Sequence, residues 1–158
     1  MRESLRTGIT FGLTSAAITT LGLIVGLHSG THSKSVILGG ILTIAIADAF
    51  SDALGIHVSE ESRNIHAAKH IWAATAATLL SKFFFALTFA IPILIFPLST
   101  AIVVTIIWGM SLLVFLSYAM ATSQGQAPWK AVAEHVVIAV IVVAITHGVG
   151  YWVKDFGL

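Results

Sequence analysis

The sequence predicts an all-α, polytopic membrane fold of five transmembrane helices. Three observations carry that prediction. Hydrophobic residues fill 57% of the 158 positions and charged residues only 9%, against about 45–50% and about 25% in soluble domains. Mean hydropathy is +0.97. Five apolar stretches are each long enough to cross a hydrocarbon core of roughly 30 Å, and the links between them are short. A soluble domain of this composition could not cover its own surface with polar groups, and a disordered chain needs the opposite composition. Eight scattered Lys and Arg against seven Asp and Glu make no basic patch, so nucleic acid is not an expected partner. With no cysteine there is no disulfide framework and no thiolate metal site.

The first stretch spans about 9–27 and carries no charge. It is longer than a secretory h-region, lacks a clean cleavage site and is followed by four similar segments, so it reads as a span. Gly8 and Gly12, and Gly22 and Gly26, form GxxxG pairs. Such pairs let helices approach closely, within a bundle or across a dimer. A polar turn, His28 to Lys34, follows, and Gly30 argues against a helix joining His28 to His32. The second stretch, about 36–58, contains Asp48 and Asp52. A charged link, Ser59 to His70, leads to the third stretch, about 71–96, which contains Lys82. Pro92 and Pro97 bracket a tight apolar connection to the fourth, about 98–120. The loop Ser123 to Pro128 precedes the fifth, about 132–153, with Glu134 near its start. Barrel strands would be shorter and alternating, so a helical bundle is expected. The chain 1–158 reads as one transmembrane domain.

Orientation follows from the basic residues. Arg2, Arg6, Arg63, Lys69 and Lys130 fall on one side, Lys34 and Lys154 on the other. The N-terminus is therefore expected in the cytoplasm and the C-terminus outside or in a lumen. Trp72, Trp129, Tyr151 and Trp152 sit near the expected interfaces.

Asp48 and Asp52 are the strongest functional signal. Their i,i+4 spacing puts both carboxylates on one helix face, with Ser51 beside them. An acidic side chain in mid-membrane costs at least about 2.5–3.5 kcal/mol on insertion scales, so the pair must face a partner, water or an ion. Two carboxylates on one wall supply hard oxygen ligands to a divalent cation, and they can also share a proton. Binding a metal would then release protons. The bland alternative is that the pair only fastens the bundle. Lys82 is the obvious partner, either as a structural salt bridge or as a cation that competes with cargo.

The histidines are less decisive. His28 and His32 sit at the outer exit of the first span, as a metal vestibule or an ordinary turn. His57 points away from the carboxylate stripe and marks the cytoplasmic end of the second span. Glu60 and Glu61, with His66 and His70 nearby, either gather cations at that end or form a solvated loop. Glu134 and His135 open the last span and are expected at the same entrance. His147 either lines a pathway or bonds across the bundle. No P-loop, HExxH, GxSxG or dinucleotide fingerprint is present, and no nucleophile–base–orienter set can be assembled, so an enzyme is not expected.

Several segments resemble the vacuolar iron transporter family. They are Gly8-Ile9-Thr10-Phe11-Gly12-Leu13-Thr14-Ser15, Ser51 through Ser59, Ile91 through Pro97, and Ala144-Ile145-Thr146-His147-Gly148-Val149-Gly150, in that order across nearly the whole chain. The resemblance implies a homodimer of five-helix protomers with a cytoplasmic N-terminus. It implies export of ferrous iron or manganese in exchange for protons, along a path near the dimer interface lined by the first two spans. The chain would be a short, divergent member without the inserted cytoplasmic metal-binding domain. Phe11 stands where the family has an aspartate, Asp52 where it commonly has a methionine, Gly55-Ile56-His57 where it has Gly-Glu-Tyr, and His147 where it often has a tyrosine. The acidic function would then have moved to Asp48 and Asp52, and a hard carboxylate in place of a thioether favours manganese.

The expected function is thus transport of ferrous iron or manganese, with no resident cofactor. Asp48, Asp52, Ser51, Glu60 and Glu61 are the candidate metal residues. Lys82, His57 and His147 are the coupling or pathway residues. The alternatives are transport of protons or another cation on the same scaffold, or a non-transporting structural subunit.

Overall fold

The computed structural model describes residues 2–63 and 67–156. Six helices follow one another: α1 (Arg2–Thr31), α2 (Lys34–Ser62), α3 (Ala68–Thr88), α4 (Ala90–Ile95), α5 (Leu98–Ser123) and α6 (Pro128–Asp155), with no strand among the described residues. Helices α3 and α4 together form one membrane-length element, Ala68–Ile95, so five helical elements are long and apolar enough to cross a membrane. Large apolar side chains such as Phe50, Leu54, Phe84, Phe115 and Ile145 face outward, as expected of a bundle whose solvent is lipid.

Helix α1 is the hub. It packs most extensively on α3 and α6 and also touches α2 and α5. Glycine makes that centrality possible. A Cβ on Gly12 would meet Ser81 Oγ and would sit 2.8 Å from the Thr78 carbonyl of α3. On the other side, Gly26 and Gly30 approach Thr146 and Gly150 of α6. Both GxxxG pairs are therefore used inside the chain, on α3 and α6, rather than left for a second copy. The apolar core lies toward the far half of the bundle, where Leu21, Ile24, Ile37, Ile41, Phe89 and Ile93 pack together.

The helix ends differ from the apolar stretches. Helix α1 continues through Gly30 to Thr31, so the break expected there does not occur: Gly30 is spent on close contact with Gly150 instead. The turn to α2 is only His32 and Ser33. His32 takes φ 50°, and Ser33 caps α2 by accepting from the Val36 N–H at 3.4 Å. The break between α3 and α4 has a local cause. Pro92 has no N–H to give to Thr88 and its ring crowds that carbonyl, and the chain responds with a tighter bond from Phe89 N–H to Ala86 O, 3.2 Å. Trp72, Trp129, Tyr151 and Trp152 are exposed near helix ends, the usual place for an aromatic belt.

Candidate functional site

Helix α2 buries a stripe of small residues at four-residue spacing, Ala45, Ala49 and Ala53. Helix α3 buries Ala74, Thr78, Lys82 and Ala86 at the same spacing. Small residues on both helices leave room beside α1 for one long side chain, and Lys82 fills it. Lys82 is the largest fully buried side chain among the described residues, at 1% exposure. An isolated buried ammonium would be strongly disfavoured, so its partners decide whether it can be there.

Two helices supply them. Lys82 Nζ donates to Ser15 Oγ of α1 at 2.8 Å and to Asp52 Oδ2 of α2. Ser15 Oγ donates its own proton to the same Asp52 oxygen, 2.6 Å away. Asp48 Oδ2 lies 2.5 Å from Lys82 Nζ, but without hydrogen-bond geometry, so this oxygen has an ion contact and no hydrogen-bond partner. The two carboxylates are not equivalent. Asp52 is locked into a lysine–serine network, whereas Asp48 is held by charge alone. Their formal charges and that of the ammonium sum to minus one.

The carboxylates also differ from Lys82 in access. Their side chains are 26% and 20% exposed for Asp48 and Asp52, against 1% for Lys82. Asp48 and Ser51 line a groove of about 680 Å³ between α1 and α2, together with Thr19, Gly40, Thr43 and Ala47. The groove runs from Asp48 toward Leu27 and Val36, where α1 ends and α2 begins. The site thus has an edge open along α1 and α2, and a back wall formed by Lys82.

The other sequence candidates lie elsewhere. His57 also packs against α3, where its Nδ1 is 3.0 Å from Thr75 Oγ1 and its ring meets the edge of Trp72. Glu60 is buried and lies 3.6 Å from Arg63, roughly 12 Å along α2 from Asp52 at 1.5 Å per residue. Glu61 is exposed, and His66 lies outside the described residues. His147 pairs with Ser29 at 2.5 Å near the opposite end of the bundle. Glu134 is exposed, while His135 turns toward α5 and pairs with Ser117 at 2.7 Å. It lines a separate cavity of about 520 Å³ with Arg6, Thr10 and Thr14, on a different side of α1 from Asp52. No three His, Asp or Glu side chains among the described residues converge closely enough to hold a metal ion.

Sequence reasoning missed Ser15. A serine in an apolar span is common, and only the rotation of α1 shows that this one reaches α2 and α3. It also missed a shared pattern in the histidine pairs. Ser29, Thr75 and Ser117 each donate their single hydroxyl proton to a carbonyl of their own helix, at Val25, Ile71 and Leu113. Each hydroxyl therefore lies between a carbonyl of its own helix and an imidazole Nδ1 of a neighbouring helix, at His147, His57 and His135.

Comparison with models of known protein families and with curated proteins finds no match.

Proposed function

We propose that this chain is a proton-coupled cation transporter, with ferrous iron or manganese as its cargo, exported from the cytoplasm in exchange for protons. The observation that carries the reading is Lys82, a fully buried ammonium held between two carboxylates of a facing helix. Without cargo, Lys82 stands where a cation would bind. An incoming cation meets the accessible edge of Asp48 first, gains the oxygens of Asp52, Ser15 and Ser51, and displaces Lys82 from the carboxylates. These are hard ligands, and water completes the shell, as suits manganese and ferrous iron. Protonation of a carboxylate weakens its hold on the cation, and cation binding expels the proton. Alternating exposure of a mid-bundle site then moves the cargo, with the α1–α2 groove as the outer branch of the path.

The resemblance to vacuolar iron transporters agrees with this layout: its path follows the first two spans, as the groove does. It also implies a homodimer. The exposed carboxylate edges support that, since lipid is a poor neighbour for them and a second copy over the groove would cover them.

One observation favours a second reading, transport of protons or a monovalent cation. Lys82 already neutralises one of the two carboxylates, so one unit of positive charge completes the balance. Liposomes containing the protein test both readings. The expected result is manganese- or iron-driven proton flux, abolished by Asp48→Asn with Asp52→Asn. Proton flux driven by monovalent ions alone supports the second reading. Flux unchanged in the double variant refutes the site, and no flux of any ion in wild type leaves a structural subunit.

A further inference from the structure

The far end of the bundle holds a group of imidazoles that the charged site does not use. Helix α1 ends at Thr31, and His28 and His32 stand one turn apart at its tip, with ring centroids 4.9 Å apart and planes inclined by 46°. His28 Nδ1 is buried and has no hydrogen-bond partner. Burying an unsatisfied polar atom is unfavourable, so this imidazole nitrogen is available to a ligand. His32 is the only non-glycine residue with positive φ among the described residues. Glycine is the usual occupant of that place at a helix end. His32 takes this left-handed backbone, and its ring stands beside His28. His147 on α6 is close enough to act electrostatically on His28, and its Nδ1 is paired with Ser29.

We propose that His28 and His32 form a binding site for a divalent transition-metal ion of the zinc, nickel and copper class, with His147 as a further imidazole nearby. Metal–nitrogen bonds of about 2.0–2.1 Å place two ligating imidazole centroids roughly 4.5 Å apart at a right angle and roughly 5.2 Å apart at the tetrahedral angle. The observed separation falls between these values. The turn at the end of α1 brings the two rings together, and imidazole prefers this class of ion to manganese. Water fills the remaining positions. The site is distinct from Asp48 and Asp52: His28 is about 20 Å along α1 from Ser15 at 1.5 Å per residue.

The test is calorimetric titration of Zn2+ into untagged full-length protein in detergent, with Cu2+ electron paramagnetic resonance as a direct reading of nitrogen ligation. Wild type is expected to show saturable Zn2+ binding with a nitrogen-coordinated Cu2+ signal, and the Asp48→Asn, Asp52→Asn background, which lacks the carboxylate site, is expected to bind one ion per chain. His32→Asn keeps a residue that accepts left-handed backbone and is expected to weaken Zn2+ binding by about 100-fold or more, since loss of even an outer-shell partner costs about 10–100-fold. His28→Gln is expected to do the same, and its melting curve shows whether it folds. The Asp48→Asn, Asp52→Asn double variant is expected to keep the site, which separates this proposal from the transport reading. Absence of saturable Zn2+ binding in wild type, or unchanged binding in His32→Asn, overturns it.

Discussion

Replacing Lys82 with methionine removes the one positive charge at the three-helix junction while keeping most of the side-chain volume. Both carboxylates then lose their counter-charge at once. At 2.5 Å and an effective dielectric constant of about 20, a single pair of charges interacts with roughly 6–7 kcal/mol before desolvation is subtracted. Breaking a buried pair by removing one member typically destabilises by about 3–5 kcal/mol. Both carboxylates keep an exposed edge, at 20–26%, so the pair is not fully buried and the lower end, about 3 kcal/mol, is expected. For a chain of this length that lowers the melting temperature by roughly 6–12 °C. Thermal melts in one detergent measure it. Neutralising the carboxylates as well, in Lys82→Met with Asp48→Asn and Asp52→Asn, is expected to recover most of the loss. The double-mutant cycle of Lys82 with Asp52 is expected to give a larger coupling than that with Asp48, because only Asp52 shares hydrogen bonds with Lys82 and Ser15. A Lys82→Met protein that melts with wild type, or a larger coupling to Asp48, would refute the reasoning.

Ser15→Ala leaves Asp52 and Lys82 each short of one hydrogen bond and is expected to destabilise by about 1–2 kcal/mol, read by the same melts. Gly12→Ala forces α1 away from the Thr78 carbonyl, which cannot rotate aside, and is expected to lose about 1–3 kcal/mol. Gly39→Ala meets nothing within 4 Å and is expected to raise stability by about 0.5–1 kcal/mol through helix propensity; equal melting shifts for the two glycine variants would contradict the packing described. His32→Gly relieves the left-handed strain and is expected to stabilise the uncomplexed protein by about 1 kcal/mol, so a lower melting temperature would show that the ring itself holds the turn.

Charge scarcity made the core of the site legible in the sequence. Asp48, Asp52 and Lys82 stand out because almost nothing else inside the spans is charged, and the i,i+4 spacing alone puts the acids on one face. Ser15 was not legible: hydroxyls occur throughout the spans, and only helix rotation distinguishes Ser15 from Thr14, which lines the cavity on another side of α1. Hydropathy found where the helices lie but not where they end, because Arg2 through Thr7 and His28 through Thr31 extend α1 with polar residues that hydropathy reads as loop. The glycine pairs showed that close packing would occur but not against what. A GxxxG face carries no record of its partner, and here the partners are α3 and α6 of the same chain.

On the proposed transport reading, the asymmetry between the two carboxylates assigns them different parts. Asp52 is bound by both Ser15 and Lys82, so a cation reaching it must break two hydrogen bonds. Asp48 faces the groove and holds Lys82 by charge without hydrogen-bond geometry, so it yields first. Cargo would therefore bind in two stages, Asp48 before Asp52, with Lys82 leaving in between. Asp48→Asn should then slow cation capture while sparing the lysine–aspartate network, whereas Asp52→Asn should release Lys82 and weaken exchange with protons. In liposomes the first variant is expected to raise the half-saturating cation concentration with proton coupling retained, and the second to uncouple proton movement from cation movement. The same phenotype from both substitutions would mean that the carboxylates act as one undivided ligand, and the two-stage order would have to be abandoned.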